Sequence, residues 1–369
     1  MNTIGRRFRL TIVGESHGEL VGVVLDGVPP GVPFGEADVQ PALDRRRPGQ
    51  SLLTTQRAEA DRVRIRSGVH EGRTTGAPLL LEILNEDKRS QDYAELRHKP
   101  RPGHADHTAS VHYLGHNDPR GSGHFSGRMT AAWVMAGALA QKVLAAHGIQ
   151  GAAHAVRIGG VETTSQLAVR PIREAVEKTP VRCADLAQAD AMIAAIEQAR
   201  KAGDSVGGIV ECVYEGLPEG LGDPILDSAE ALLTHALFGI PAVKGVEFGS
   251  GFALAAMRGS EARDEFVMEE GALRTRANHN GGILGGITTG MPVRFRVAFK
   301  PTSSIPLSQQ TVDLRTGEPA ELRVKGRHDP CIVPRAVPVV EAVAACVLLD
   351  LLLERHGVLG VAAPFQEAR

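Results

Sequence analysis

The stretch RHDPCIVPR, Arg327–Arg335, gathers two arginines, a histidine, an aspartate and a cysteine immediately before the longest apolar segment of the chain. Its two prolines keep these residues out of one regular helix. A carboxylate or guanidinium buried alone there is costly. Asp329 and Arg335 should therefore pair with each other or with a ligand.

Histidines gather elsewhere. RPGHADHTASVHYLGHNDPRGSGHFSGR, Arg101–Arg128, holds His104, His107, His112, His116 and His124. His112 and His116 have the i, i+4 spacing that would suit a metal on a helix. Gly115 and the turn residues around it argue against a helix there, and no HExxH pattern follows. No metal site is expected. The glycines around Ser122 and His124 lead into an Ala-rich segment, and a glycine loop opening a helix points free N–H groups at an anion. In GESHG, Gly14–Gly18, His17 follows a strand-like run; it is either a polar turn or a residue that a ligand can approach closely.

Cationic groups recur. LDRRRPGQS, Leu43–Ser51, carries three consecutive arginines that cannot share one face. They form either a solvated turn or a site for phosphate or carboxylate, which the guanidinium fork suits. NGGILGGITTG from Asn280 fits neither a P-loop nor a dinucleotide fingerprint. Its glycines, Gly285 among them, nevertheless expose backbone N–H groups. KPTSSI follows, with Lys300, Thr302, Ser303 and Ser304 offering one cation and three hydroxyls for a phosphate.

The chain that must position these groups has 369 residues, 43% apolar and 23% charged, with a net charge of −2. That balance gives no global pull toward nucleic acid or an anionic membrane. Four scattered cysteines without CxxC spacing fit a reducing cytoplasm better than a disulfide scaffold or zinc ribbon. The N-terminus has no apolar run long enough for a signal peptide, and Val333–Leu353 is interrupted by charges and prolines, which predicts a buried helix instead of a membrane span.

The first 85 residues are expected to be strand-rich, with RVRIRSGVHEG from Arg62 and APLLLEILN as strands. Glu86–Gly103 is expected to be a charged loop. Helices are expected over Ser126–His147, Asp185–Lys201, Asp227–Leu237 and Val337–His356. VGGIVECVYEGLP and VRFRVAF should be strands, and Ser308–Gly326 a polar loop. No repeat or linker divides the chain, so one α+β domain over 1–369 is expected. The residues by themselves describe an enzyme that binds phosphate and carboxylate groups, with histidines for proton transfer and no aromatic stacking platform.

In order and along nearly the whole chain, GESHG, DGVPPGVP, ALDRRRPG, TTQR, SGVHEGRTTGAP, RPGHADHT, RGSGHFSGR, AVKGVEFGSGF, NHNGGILGGITTGMP, KPTSSI and GRHDPCIVPRAVPV resemble the chorismate synthase family. The resemblance implies a single-domain β-α-β sandwich and a homotetramer. It implies loss of phosphate from 5-enolpyruvylshikimate 3-phosphate, with reduced FMN (FMNH2) required although there is no net redox change, and NADPH as a possible reductant. It gives His17 the protonation of reduced flavin, His104 a place near the leaving phosphate, and Asp329 assistance in proton removal, supported by Ser16 and Ser126. Flavin contacts are implied for His124, Phe125, Ser126, Pro241, Ala242, Gly285, Lys300, Pro301, Thr302, Ser303, Ser304 and Arg327. Arg46 is implied to meet substrate or NADPH, and Arg128 and Arg335 are expected to meet substrate anions.

Three positions depart from the family pattern. His124-Phe125-Ser126 stands where many relatives have Arg-Ser-Ser, and Pro241 where many have Asn. Leu52 stands where a second NADPH-contacting arginine often occurs, so weak use of NADPH is expected. The rival readings are a metal-dependent phosphohydrolase and a non-catalytic anion-binding module.

Overall fold

A computed structural model describes residues 2–50, 59–86, 95–324 and 329–366. Two five-stranded antiparallel sheets enclose a helical layer. The first sheet runs in the order Thr3–Ile4, Arg9–Gly14, Leu20–Asp26, Leu79–Leu84, Val63–Ser67. The second runs Val243–Phe248, Val293–Phe299, Gly208–Glu215, Gln150–Ile158, Val161–Glu162. The helices are α1 (Glu36–Arg46), α2 (Asp106–His112), α3 (Thr130–Ala146), α4 (Val169–Ala175), α5 (Leu186–Lys201), α6 (Ala229–Leu237) and α7 (Val333–Ala362). Helix α3 lies against the first sheet, α7 against the second, and the two cross each other. One continuous apolar core runs through all three layers, which is the expected β-α-β sandwich.

The layer is made possible by small residues. A Cβ on Gly137 of α3 would lie 2.3 Å from the Cβ of Ala342 on α7, so only glycine permits this crossing. Both helices are apolar and buried around most of their surface, as a central layer requires. By length and composition both could cross a membrane; here the α7 window is wholly buried inside the protein.

Helix α7 begins at Val333, four residues before the expected start, because Pro334 stands at its first turn, where a missing N–H costs nothing. Pro338 cannot donate to the Pro334 carbonyl one turn earlier. Arg182 Nη1 takes that carbonyl at 2.6 Å instead. Buried Asp350 of α7 accepts the backbone N–H groups of Arg6, Arg7 and Phe8 at 2.9, 2.7 and 2.7 Å, tying the N-terminal segment to the central layer.

Several expectations need correction. Glu36–Arg46 is a helix, so LDRRRPGQS is not simply a turn. Pro41 and the arginine run obscured the Val39–Leu43 apolar pair, while Glu36 and Asp38 at the start and Arg45 and Arg46 at the end suit the helix dipole. Asp106–His112 is an unexpected short helix; as expected, it does not continue through Gly115, so His112 and His116 do not share a helix face. Ser308–Gly326 contains a hairpin, Gln309–Val312 with Pro319–Leu322. The short helix α4 carries no strong periodic signal and was not expected.

Candidate active site

The functional stretches converge on one cavity of about 1010 Å³ at one end of the helical layer. Its walls come from the start of α7, the loop before α3, the RPGHAD segment, KPTSSI, and Phe238–Lys244 after α6. His104, His124, Phe125, Ser126, Pro241, Ala242, Lys300, Pro301, Thr302, Ser303, Ser304, Arg46, Arg128, Asp329 and Arg335 all line it.

The described part of RHDPCIVPR, residues 329–335, contributes to one wall. Asp329 and Arg335 face the cavity, and Arg335 Nη1 donates to Asp329 Oδ2 at 2.7 Å. Arg335 Nε also donates to the carbonyl of Arg46 at 3.3 Å. Arg327 lies outside the described residues, as does Leu52.

The three arginines of the RRR run fan out from the end of α1. Arg45 turns to Glu177 and Glu341, at 2.6 and 3.0 Å. Arg47 stays at the surface near Asp44. Arg46 is buried and donates to Asp61 Oδ2 at 2.9 Å. The other oxygen of Asp61 accepts from Arg128 at 2.6 Å, and Arg128 also meets Glu59 at 2.5 Å and Asn85 at 2.5 Å. Asp61 thus bridges two of the three arginines expected to meet substrate. Their guanidinium groups face the cavity already held by protein carboxylates, which the sequence reading did not anticipate. Burial by itself would raise the Asp61 pKa; Arg46 and Arg128 outweigh it and hold the carboxyl below its ordinary value. Burial also pushes the Arg46 guanidinium down, against the pull of Asp61.

A second hub is Arg101. Its guanidinium reaches Asp106 at 2.7 and 2.8 Å, Ser304 at 2.8 Å and Ser122 at 2.8 Å. His104 Nδ1 lies 2.8 Å from Asp106 Oδ1. Ser303 Oγ donates to the Gly103 carbonyl at 2.8 Å, and Lys300 Nζ donates to the same carbonyl. RPGHAD and KPTSSI, about two hundred residues apart, are therefore one stitched surface. Burial, then nearby Lys244, holds the Lys300 ammonium below its usual range. That pair of cations favours an anion beside it.

His17 and Ser16 are placed differently. Both are buried behind Gly121, whose backbone lines the cavity. Gly121 has φ +58°, and a Cβ there would lie 2.3 Å from His17 Cδ2 and 2.8 Å from Ser16 Oγ. Glycine therefore satisfies both the left-handed backbone and the close approach. His124 Nε2 lies 3.5 Å from Glu15 Oε1. Phe125 sits edge-on to Tyr113, centroids 6.4 Å apart, and both line the cavity. The expectation of no aromatic platform is corrected here. The two rings are twelve residues apart and joined only by the fold. Gly285 is not part of the cavity wall; with Gly286 it turns the Ile283–Leu284/Ile287–Thr288 hairpin.

The remaining groups test whether a flavin phosphate fits. Thr302 Oγ1 is buried without a hydrogen-bond partner among the described residues, and it stands in the cavity wall beside Lys300 and Ser303. A buried orphan hydroxyl normally has a partner, and a phosphate or ribityl oxygen would supply one. The apolar wall of Phe125, Trp133, Ile240 and Val339 suits a flat ring system. The residues fit the group. Among the described residues, no cluster of three or more His, Cys, Asp or Glu side chains is arranged to hold a metal ion.

Asp61, Asn85, Arg101 and Asp106 were missed by sequence reasoning as site residues. Asp106 had a local signal, a carboxylate two positions after His104; Asp61 and Asn85 had none, since only the sheet brings them to Arg128.

The family profile described as chorismate synthase matches residues 8–353. Chorismate synthase of Methanocella arvoryzae is 53% identical over 352 residues, covering 95% of this chain and 94% of the relative. That of Aeropyrum pernix is 52% identical over 363 residues, covering 97% and 94%. A solved crystal structure of a chorismate synthase superposes with a TM-score of 0.77 at 30% identity, covering 98% of this chain and 97% of the other. With the family profile spanning nearly the whole chain, relatives at about half identity and the same sandwich, the chain belongs to the chorismate synthase family.

Proposed function

We propose that this chorismate synthase family member eliminates phosphate from 5-enolpyruvylshikimate 3-phosphate to give chorismate, with reduced FMN bound in the same cavity and no net redox change. The observation that carries the reading is the single cavity in which Asp329, His104, Arg335 and the Lys300–Ser304 loop face one space. Its volume, about 1010 Å³, is at the upper end of ordinary ligand sites. That suits a flavin and a small substrate together.

A reduced flavin held by Lys300, Thr302 and Ser303 would supply a nearby source of transient electron density for the elimination. The protein's own residues do the rest. Lys300, Thr302 and Ser303 would hold the flavin phosphate, with Phe125, Ser126, Pro241 and Ala242 along the ring system. His104 would meet the leaving phosphate, and a proton held there neutralises developing charge. Asp329 would accept the substrate proton, oriented by Arg335. His17, behind Gly121, is the second proton-holding group, supported by Ser16. Arg46 and Arg128, which line the cavity with Asp61 behind them, would meet the substrate anions.

The working form is proposed to be a cytoplasmic homotetramer. Exposed Ile225, Leu226, Phe252, Phe266 and Met268 support a subunit contact, and four buried free cysteines support a reducing compartment. NADPH is proposed to serve poorly as reductant. The test is anaerobic turnover of the enolpyruvyl phosphate with FMN reduced by dithionite, with oxidised FMN plus NADPH, and with no flavin. Turnover only with prereduced flavin is expected. Turnover without flavin, or activity abolished by a chelator, would replace this reading with the phosphohydrolase. Binding without turnover would favour the anion-binding module.

A further inference from the structure

Two neighbours, Asp106 and Arg101, compete for one hydrogen bond at His104 Nδ1. His104 Nδ1 is 2.8 Å from Asp106 Oδ1 and 3.1 Å from Arg101 Nη2. Only one of these contacts can be the hydrogen bond of that nitrogen. A guanidinium terminal nitrogen carries two hydrogens. Those of Arg101 Nη2 are already aimed at Asp106 Oδ1, 2.7 Å away, and Ser122 Oγ, 2.8 Å away. A carboxylate accepts only. So Nδ1 carries a proton and gives it to Asp106, which leaves Nε2 as the nitrogen available to a ligand in the cavity.

Asp106 is well placed to impose this. Its Oδ2 takes the Arg101 backbone N–H at 3.0 Å and Nε at 2.8 Å, while Oδ1 takes Nη2. Held by three donors from Arg101, the carboxylate cannot swing away from the imidazole. Arg101 is in turn pinned to Ser304, so the orientation of His104 is referenced to the KPTSSI loop.

We propose that Asp106 is a positioning residue for the reaction of this site: by accepting the Nδ1–H of the His104 imidazole it leaves Nε2 as the place of the second, catalytic proton, which faces the substrate phosphate. The role in the reaction rests on the function proposed above; the proton position does not. An Asn at position 106 could donate its amide hydrogen to Nδ1 and move the proton to Nε2.

The test joins a spectrum to kinetics. Protein labelled with 15N-histidine is compared as wild type and Asp106→Asn, with His104→Gln used to assign the signal. Wild-type His104 is expected to show a protonated Nδ1, and Asp106→Asn an unprotonated one. In the elimination assay Asp106→Asn should lose about 10²–10⁴-fold, the range spanned by losing general acid catalysis and by replacing the carboxylate behind a catalytic histidine. The loss should fall mainly in kcat, with part of it restored by Asp106→Glu. An unprotonated wild-type Nδ1 overturns the proposal, and that result needs no folded variant. Wild-type turnover by an Asp106→Asn protein whose proton has moved overturns it equally. The spectrum needs neither substrate nor flavin, so an inactive wild type would sink the proposed reaction while leaving the proton position to be decided separately.

Discussion

The Arg335 guanidinium donates to the Asp329 carboxylate across 2.7 Å, and both side chains face the cavity. Sequence reasoning left open whether these two residues pair with each other or with a ligand. They pair, and the pair is itself on the ligand surface. An arginine so placed keeps the carboxylate aimed along the cavity wall, which a base for proton removal requires.

Asp329→Asn keeps the shape and loses the charge. The expected result is unchanged flavin affinity, measured by titration with oxidised FMN, and turnover lower by about 10²–10⁴-fold. Turnover equal to wild type would leave the pair a purely structural one.

Asp61 should show itself as acid sensitivity. Its pKa is depressed in the folded protein, so its stabilisation is complete above the ordinary aspartate value of about 3.9 and is lost as pH falls below it. Urea unfolding of the wild type should lose stability as pH is lowered from about 5 toward 3. Asp61→Asn leaves two buried arginines with less counter-charge and is expected to cost about 3–5 kcal/mol at neutral pH. Its stability should also depend less steeply on pH over that window. An equal slope in both proteins would assign the acid lability to other carboxylates.

Much of this architecture was legible. VRFRVAF is expected to be a strand and Val293–Phe299 is one, with every second residue buried. The Ala-rich run became α3 and the apolar run α7. Residues of the cationic stretches and of the glycine loop before α3 did converge on the cavity, whereas NGGILGGITTG did not. What stayed hidden was partnership across the fold. Nothing near Arg46 or Arg128 in sequence names Asp61 as their shared carboxylate, because the bridge exists only once α1, the loop before Val63 and the start of α3 meet. His17 shows the same limit. Its motif marked a functional histidine, but its placement behind Gly121 depends on a left-handed loop that spacing does not encode.

Gly137 tests the sandwich itself. Gly137→Val would drive a branched side chain into Ala342 across a crossing already too close for one Cβ. Overpacking of this kind costs about 1–3 kcal/mol, occasionally more. The expected result is a lower urea midpoint with an unchanged m-value. Adding Ala342→Gly should recover part of the loss, since the two positions touch. No recovery would place the strain elsewhere in the helical layer.

Gly121 separates positioning from stability at the proton site. Gly121→Ala asks an L side chain to adopt φ +58° and places its Cβ 2.3 Å from His17 Cδ2. The left-handed conformation costs about 1–2 kcal/mol, a modest part of a folded domain's stability. The steric conflict is not modest: the His17 ring or the 121–123 loop must move. His17→Ala in the same background provides the control, because it removes the ring that the new methyl would strike. If His17 acts from its observed place, Gly121→Ala should bind phosphate and flavin nearly as wild type does yet turn over as slowly as His17→Ala. The double variant should be no slower than either. Wild-type rates for Gly121→Ala would mean that His17 need not stay where the loop holds it. Additive losses would mean that Gly121 serves the cavity wall independently of the histidine behind it.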